Sequence, residues 1–321
     1  MRRIKRVFEV LGEAWTVLKL LPPPYQKNKL GRYFDVLWCL LKYGAMPEDY
    51  ISLELYKQPA EKRKLFVTQR NKQLFMKNFY DEDAIRTLTE KHLFSKRFSK
   101  YVTRDWLWTP DVSEQEVRAF VEKHGRVVVK PNSSTWGIGV QVIDTSKTDW
   151  LIGEIRKGER FMVEEVIVNH PDIKRINPDS VNTLRVETCL DHDGGFHLLN
   201  VLLMIGTTKT IVSNCHSGGM MCHVNMETGE VDNAGFNPKG LWYEVHPASG
   251  IKLRGFKVPF ADKLEGYIKG VCQVMPNARY VGWDVVVTPT GFELIEGNYC
   301  PGQCTQTCDG IPKYEMLKSY L

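Results

Sequence analysis

Residues 282–298 read GWDVVVTPTGFELIEGN, and this stretch is the clearest structural signal in the chain. Two apolar, β-rich runs flank the turn signal TPTG at 288–291, whose glycine can adopt the positive φ that a tight hairpin requires. Pairing the two runs symmetrically about residue 290 sets Asp284 opposite Glu296, with their β-carbons about 5 Å apart. The sequence therefore predicts a β-hairpin that carries two carboxylates side by side on one face.

The two opposed carboxylates form a candidate metal site. Like charges this close would destabilise the hairpin and raise the pKa of one carboxyl group. A divalent cation relieves that conflict. Asp284, Glu296 and the side-chain carbonyl of Asn298 offer the hard oxygen ligands that suit Mg²⁺ shared with substrate phosphates. An exposed, solvated pair without a metal is the alternative.

A candidate phosphate-binding loop lies upstream, in VVVKPNSSTWGIGV at residues 127–140. A buried strand ends in Lys130, and a loop of small residues follows, whose backbone N–H groups can approach phosphate oxygens. The loop is not a Walker A motif, because no Gly-Lys-Ser/Thr follows. A plain hairpin turn with a surface lysine is the alternative. The candidate contacts in the loop are Ser133, Ser134, Gly137 and Gly139.

Two further strands carry charged side chains that suit a nucleotide site. Glu164 and Glu165 interrupt the apolar run 161–167, and a carboxylate in apolar surroundings can accept a hydrogen bond from the exocyclic amine of an adenine. Thr183 and Arg185 alternate onto one strand face, where the arginine can clamp a phosphoryl group. For both strands an ordinary surface position is the alternative.

The predicted secondary structure changes from helical to β-rich along the chain. Residues 1 to about 105 indicate helices, interrupted by PPP at 22–24, and short β-rich runs begin at Arg126. Two further helices are predicted at 147–157 and 262–275. The sequence thus predicts an α+β protein with mostly antiparallel sheets and a helical N-terminal part. The predicted strands are 126–130, 140–144, 161–168, 183–190, 196–205, 280–287 and 292–297.

Composition bounds the class of protein. The 321 residues suggest about two domains, and 43% hydrophobic with 25% charged residues exclude a disordered, collagen-like or disulfide-dense chain. The net charge of +5 is uneven: residues 1–100 carry 21 Lys+Arg against 11 Asp+Glu, and the remainder carries 22 against 27. We therefore expect the basic N-terminal part to engage an anionic partner, substrate or membrane surface rather than nucleic acid, since no nucleic-acid-reading motif occurs.

The N-terminal segment and the cysteines bear on location. Apolar residues from Ile4 to Leu18 recur at helical spacing, which predicts a core-packing helix or, alternatively, a basic amphipathic helix on a membrane surface. Charged residues break its apolar run, so it does not resemble a signal peptide. Eight cysteines without such a signal predict a cytoplasmic protein with reduced thiols. Cys300, Cys304 and Cys308 match no iron–sulfur spacing, and their role stays open.

In their order along the chain, these pieces resemble the ATP-grasp superfamily, and more narrowly its sugar-transfer-associated ATP-grasp branch. The resemblance covers most of the sequence and is carried by five stretches: KYGAMPEDY at 42–50, EKR at 61–63, NPDSVNTLR at 177–185, SNCHSGG at 213–219 and the hairpin 282–298. It implies an ATP-grasp fold of two α+β subdomains that clamp ATP. Its implied divisions are a helical region at 1–75, a small or lid subdomain at 76–166, and a large subdomain with the metal site at 167–321.

The resemblance also implies roles for individual residues. Lys130 and, as a second phosphate-contacting lysine, Lys91 would bind the phosphates under the glycine loop. Glu164 would meet the adenine amine, with the backbone of Glu165 and Ile167 at the ring edge. Arg185 would stabilise the transferred phosphoryl group. Asp284, Glu296 and Asn298 would hold one or two Mg²⁺ ions, and His216 would orient substrate or accept the amine proton unless it is structural.

The implied activity is an ATP- and Mg²⁺-dependent ligase that joins a carboxylate to an amine through an acyl phosphate. Its substrate would be a sugar- or amino-acid-containing metabolite of polysaccharide or natural-product biosynthesis. The alternative is a kinase acting on a hydroxyl group, and a third possibility is a nucleotide-binding or membrane-docking module without turnover. The sequence indicates neither the acceptor nor the oligomeric state.

Overall fold

The computed structural model of the chain describes residues 2–132, 138–207, 218–299, 301–302 and 304–321. Within these residues the protein is α+β, with a helical N-terminal region, a four-stranded sheet and an eight-stranded sheet. Every strand pairing described is antiparallel, as the sequence predicts.

Helices dominate the chain as far as residue 97, in agreement with the sequence prediction. Helix α1 ends at Val17, and short 3₁₀ turns at Leu18–Leu20 and Pro23–Tyr25 replace it where three consecutive prolines remove backbone donors. Helix α2 ends at Tyr43. Gly44 follows it with a φ of 67°, which lets the Ala45 N–H reach the Cys39 carbonyl while the Gly44 N–H bonds the Leu40 carbonyl. The helices are α1 Arg2–Val17, α2 Lys29–Tyr43, α3 Pro47–Ser52, α4 Ala60–Arg63, α5 Gln69–Phe79, α6 Glu82–Thr89 and α7 Lys91–Arg97.

The small sheet has the strand order β1-β4-β2-β3 and shares a core with two helices. The predicted strand 161–168 is wrong at its end: β4 stops at Glu165, because the chain then crosses to the large sheet, where the His170 N–H bonds the Val287 carbonyl at 2.7 Å. The elements are β1 Trp106–Trp108, α8 Glu114–His124, β2 Arg126–Pro131, β3 Gln141–Asp144, α9 Thr148–Arg156 and β4 Phe161–Glu165.

The large sheet has the order β10-β9-β7-β6-β5-β11-β12, with β8 paired to β7. The predicted strands 183–190 and 196–205 are confirmed to the residue. The sequence missed β7 to β10, which are short and lack clear alternation. The elements are α10 Pro171–Lys174, β5 Thr183–Leu190, β6 Phe196–Ile205, β7 Met220–Asn225, β8 Glu230–Val231, β9 Gly235–Asn237, β10 Leu241–Tyr243, α11 Ala261–Val274, β11 Tyr280–Thr288, β12 Gly291–Tyr299, α12 Thr305–Cys308 and α13 Tyr314–Ser319.

The hairpin β11–β12 sets Asp284 opposite Glu296, as predicted, but the register of the two strands differs from the predicted symmetric pairing. The turn is tighter than expected, with Thr288 opposite Gly291 and Val285 opposite Leu294. The register then shifts between positions 284 and 285, and this irregularity restores the pairing of the two acids. A bulge of this kind re-aims side chains along a strand, so the hairpin carries both carboxylates on one face of the sheet.

Besides the core of the small sheet, two larger hydrophobic cores hold these elements. The main core joins the large sheet to α11 and to α5–α7, and a separate core lies among α1, α2 and α3 around Leu18, Val36 and Tyr50. Among the residues that the structure describes, no helix has the length and apolar character needed to span a bilayer.

Candidate active site

Three adjacent strands of the large sheet present Arg185, Asp284 and Glu296 in one row, because β5 pairs with β11 and β11 with β12. The guanidinium of Arg185 donates to both oxygens of Asp284, from Nε to Oδ1 at 2.5 Å and from Nη2 to Oδ2 at 3.1 Å. The side-chain amide of Asn298 lies 3.3 Å from Asp284 Oδ2 and 3.5 Å from Glu296 Oε1. Three residues predicted from the hairpin and one predicted from the strand 183–190 therefore meet at one place.

Glu296 is a buried carboxyl group next to a second carboxylate, and a bound cation would relieve the repulsion between the two. Burial raises the pKa of Glu296, and the neighbouring carboxylate of Asp284 raises it further. Lys91, Lys130 and Arg185 act in the opposite direction, so all three cations lie within electrostatic reach of this carboxyl group. Burial alone would lower the pKa of Arg185, but the ion pair with Asp284 raises it instead.

Lys130 and Glu164 form a second, buried ion pair in the small sheet. Lys130 Nζ lies 2.5 Å from Glu164 Oε2, and Arg104 Nη2 lies 3.1 Å from Glu164 Oε1. Burial alone would raise the pKa of Glu164, but the two cations more than offset it and lower the pKa to about 2. Both oxygens of Glu164 are thus engaged by cations, and its predicted contact with an adenine amine stays a prediction.

Lys91 connects the helical region to the phosphate-loop strand. At the start of α7, its backbone N–H and its Nζ both lie 3.3 Å from the carbonyl oxygen of Asn132, two residues beyond Lys130. The pKa of Lys91 is lowered, chiefly by burial and also by the nearby Lys130. Glu296 and Glu164 act in the opposite direction. The ammonium group therefore lies within reach of both halves of the candidate site.

The remaining predicted residues divide into two groups. Gly139 has a φ of +76°, and a β-carbon there would come within 2.9 Å of Pro131 Cγ, so this loop position requires glycine. The Glu165 N–H donates to the Asp105 carbonyl at 2.9 Å, and Ile167 lies half-buried in the segment that crosses between the sheets. Ser133, Ser134, Gly137 and His216 lie outside the described residues, and their roles stay predictions.

Sequence reasoning missed a buried arginine that joins the two sheets. Arg104 Nη1 lies 2.8 Å from Glu293 Oε1 on β12, while its Nη2 pairs with Glu164 on β4. Thr103 also bonds Glu293 through its backbone N–H at 3.0 Å. No signal in the sequence distinguishes Arg104, because it lies in an irregular stretch between a helix and a short strand.

A second missed residue is Glu187, two positions from Arg185 on the same strand face. Its side chain is fully buried, and neither carboxylate oxygen has a hydrogen bond of normal geometry to any residue described. The side-chain oxygen of Asn200, opposite it on β6, also lacks a donor within the described ranges. Burial raises the pKa of Glu187, against the influence of Lys313 and Thr305.

A cavity of about 590 Å³ opens beside Asn132, where β2 leads into the phosphate loop. His92 and Trp108 line it as a stacked pair, with ring centroids 4.6 Å apart and an interplanar angle of 6°. The cavity lies on the side of the small sheet and not at the acid pair, so it offers room next to the loop rather than at the candidate metal ligands.

The donor set fits Mg²⁺ bound together with a triphosphate. The two carboxylates supply hard oxygen atoms of the kind that bind Mg²⁺. Asn298 turns its Nδ2 toward both carboxylates, and its carboxamide oxygen would join them once the amide plane is rotated by half a turn. The mutual repulsion of Asp284 and Glu296 favours a cation between them, and the three nearby cationic side chains suit phosphate oxygens.

These two antiparallel sheets, with the lysine and glutamate of the small sheet facing the acidic hairpin of the large one, are the ATP-grasp fold. Residues 150–313, more than half of the chain, match the model of a family described as sugar-transfer associated ATP-grasp, and the protein belongs to that family.

Solved structures with a similar arrangement include the ATP-grasp ligase PsnB complexed with minimal precursor, at 12% identity and a TM-score of 0.48, covering 75% of this chain and 63% of PsnB. D-alanyl-alanine synthetase A from Vibrio cholerae is 12% identical with a TM-score of 0.45, covering 74% and 61%. The ADP complex of N5-carboxyaminoimidazole ribonucleotide synthetase is 13% identical with a TM-score of 0.46, covering 76% and 57%. The chain thus spans about three fifths of the length of these structures. No curated protein matches the sequence.

Proposed function

We propose that the protein is an ATP- and Mg²⁺-dependent ligase that joins a carboxylate to an amine, with a sugar- or amino-acid-containing substrate. The observation that carries the proposal is the convergence of Lys91, Lys130 and Arg185 on the opposed carboxylates Asp284 and Glu296. Membership of a sugar-transfer associated family supports the substrate class and a role in polysaccharide biosynthesis. A cytoplasmic location remains part of the proposal.

In this proposal each cationic side chain changes partners when nucleotide binds. Lys130 is paired with Glu164 and Arg185 with Asp284 in the structure described above. A triphosphate offers both cations negatively charged phosphate oxygens as new partners, which would free Asp284 to act as a metal ligand beside Glu296 and Asn298. Mg²⁺ at these ligands would neutralise phosphate charge and orient the terminal phosphoryl group.

The residues then act by position and charge rather than as nucleophiles. Lys91 and Lys130 hold the phosphates, and Arg185 stabilises the charge that develops as the substrate carboxylate attacks the γ-phosphorus and ADP leaves. The resulting acyl phosphate is attacked at its carbonyl carbon by the amine, which loses a proton as inorganic phosphate departs. His216 is the proposed acceptor of that proton.

The test is hydroxylamine trapping during ATP turnover with a panel of carboxylates. We expect a hydroxamate to form together with ADP for the correct carboxylate, because hydroxylamine intercepts an acyl phosphate. Glu296→Gln should lower this Mg²⁺-dependent turnover at least about 100-fold, since it removes a metal-ligand charge. Glu265→Gln, at an exposed position on α11, is the matched control and should retain full activity.

Two outcomes would overturn the proposal. A stable phosphorylated alcohol formed without hydroxamate would make the protein a kinase. ATP binding without ADP release above background, across carboxylates and amines, would make it a nucleotide-binding module. Unchanged turnover in Glu296→Gln would contradict the metal assignment independently of the reaction type.

A further inference from the structure

The helical N-terminal region leaves large apolar side chains in water. Helix α2 exposes four of them, at spacings of four, four and three residues. This spacing places all four within an arc of about 80° around the helix axis, on one face of the helix. Helix α1 adds two more. These six side chains are between 49% and 71% exposed, and we call them the apolar patch: Phe8, Trp15, Leu30, Phe34, Trp38 and Leu41.

The apolar patch is continuous across the two helices. The ring of Trp15 on α1 meets that of Tyr33 on α2 edge-on at 5.6 Å between centroids, and Tyr33 meets Phe34 in the same way at 5.9 Å. The Tyr33 hydroxyl donates to the Leu11 carbonyl of α1 at 3.5 Å. An apolar surface of this extent on a folded protein marks an interaction site rather than scattered exposed residues.

The opposite faces of the same helices are already covered. Ala14 and Leu18 of α1 and Val36 and Cys39 of α2 are buried together in the N-terminal core. Asp35, on that inner side, is bound by Arg63 at 2.6 Å. The apolar patch is therefore a second apolar face of these helices, in addition to the face that stabilises the fold.

Positive charge surrounds the apolar patch. Residues 1–43 contain nine Lys and Arg against three Asp and Glu. Lys5, Lys27, Lys29 and Lys42 are exposed, and Lys42 Nζ lies 5.3 Å from the centre of the Trp38 ring. Helices that lie in the interface of an anionic bilayer typically combine tryptophan, phenylalanine and leucine with flanking lysines, as these two helices do.

We infer that α1 and α2 dock the protein on an anionic lipid surface, with the apolar patch inserted at the headgroup level and the lysines on lipid phosphates. Charge complementarity favours this occupant over a second copy of the chain, because a symmetric contact would bring the same lysines face to face. The inference is independent of the proposed reaction.

Docking would also fix the position of the ATP-grasp body. Thr307, on α12 after the acidic hairpin, donates a hydrogen bond from its hydroxyl to the Ser52 carbonyl at 2.5 Å. The side-chain amide of Gln306 accepts from the Val67 N–H at 2.9 Å and donates to the Val67 carbonyl at 3.1 Å. Trp242 Nε1 donates to Glu54 at 3.1 Å. The helical region is thus joined to the large sheet and would hold it close to the lipid surface.

The test is co-sedimentation of the full chain with phosphatidylcholine vesicles, with and without phosphatidylglycerol. We expect binding to the anionic vesicles only, weakened by added salt because screening reduces the lysine–lipid attraction. The double variant Phe34→Ser/Trp38→Ser should lower binding about tenfold or more, since two aromatic anchors are lost. Lys27→Glu/Lys29→Glu should lower it on anionic vesicles as well.

Matched controls separate the apolar patch from general effects. Trp150→Ser/Ile311→Ser changes exposed apolar residues elsewhere, and Lys147→Glu/Lys318→Glu changes exposed lysines elsewhere, so both should bind as the unaltered chain does. Failure of the unaltered chain to sediment with anionic vesicles would overturn the inference, as would equal binding by the Phe34→Ser/Trp38→Ser variant. So would a concentration-dependent dimer, without vesicle binding, that this variant abolishes.

Discussion

Among single residues, Glu187 combines full burial with a carboxyl group that has no hydrogen bond of normal geometry to any described residue. The nearby charges are Lys313, Asp309 and Arg185, and Lys313 is itself paired with Asp309. Lys313, Thr305 and Arg185 therefore compensate for burial of the carboxylate only in part, and the pKa of Glu187 is raised. Such a group keeps its proton in the folded protein at pH values where the unfolded chain has lost it.

The raised pKa predicts how Glu187→Gln changes stability with pH. The folded state of the unaltered protein loses stability as the pH rises from the ordinary carboxyl pKa through the raised one, whereas glutamine cannot ionise. The free energy of unfolding of Glu187→Gln, relative to the unaltered protein, should therefore increase between about pH 5 and about pH 8. Urea unfolding at both pH values measures it, with Glu265→Gln as the exposed control; an equal difference at both pH values would contradict it.

Among structural elements, β4 and β12 are linked by charge through Arg104, which joins the small sheet to the large one. Its guanidinium is buried between Glu164 and Glu293. Burying such charges is costly, so the arrangement stabilises the protein only while every partner is present. Glu164 also pairs with Lys130. The position of this candidate phosphate-binding lysine is therefore coupled to the contact between the sheets.

Arg104→Met is expected to destabilise the protein by about 3–5 kcal/mol, because it leaves buried carboxylates uncompensated. Arg156→Met, which breaks an exposed pair with Glu114, is the control and should leave the free energy of unfolding almost unchanged. Denaturant unfolding measures both variants, and a loss for Arg104→Met no greater than the control would exclude this role.

For the whole molecule, ligand binding and stability are linked through the acid pair. Glu296 carries a raised pKa in the ligand-free protein because of burial and of Asp284. The repulsion that would favour a bound cation therefore also weakens the ligand-free fold, and nucleotide binding would return that stability.

Glu296→Gln should therefore have opposite effects with and without ligand. Thermal unfolding without ligand should occur at a higher temperature than in the unaltered protein, because the repulsion with Asp284 is gone. Mg²⁺ with ATP at about one hundred times its Kd should add about 2.7 kcal/mol to the unaltered protein. The variant should lack the Mg²⁺-dependent part of that gain, and Glu265→Gln should retain it. An equal Mg²⁺-dependent shift in all three proteins would rule out Glu296 as a ligand.

The sequence alone predicts β2 to β6, β11 and β12, the hairpin, and the charged residues that these strands carry. Alternation of period two and a turn with a well-placed glycine are local properties, so β5, β6 and the pairing of Asp284 with Glu296 follow from short segments. The family resemblance supplied the order in which these pieces assemble, and the helical N-terminal region follows from its periodicity.

Only the tertiary structure decided which partners meet. Arg104 lies about 60 residues from Glu164 and about 190 from Glu293, so no local pattern predicts their contact. Helical periodicity likewise marks the apolar faces of α1 and α2 but does not say which face the fold covers. Packing buries Leu18 and Val36 and leaves Phe34 and Trp38 in water. Local sequence fixes conformation because its energies act over a few residues, whereas burial and ion pairing depend on groups that only folding brings together.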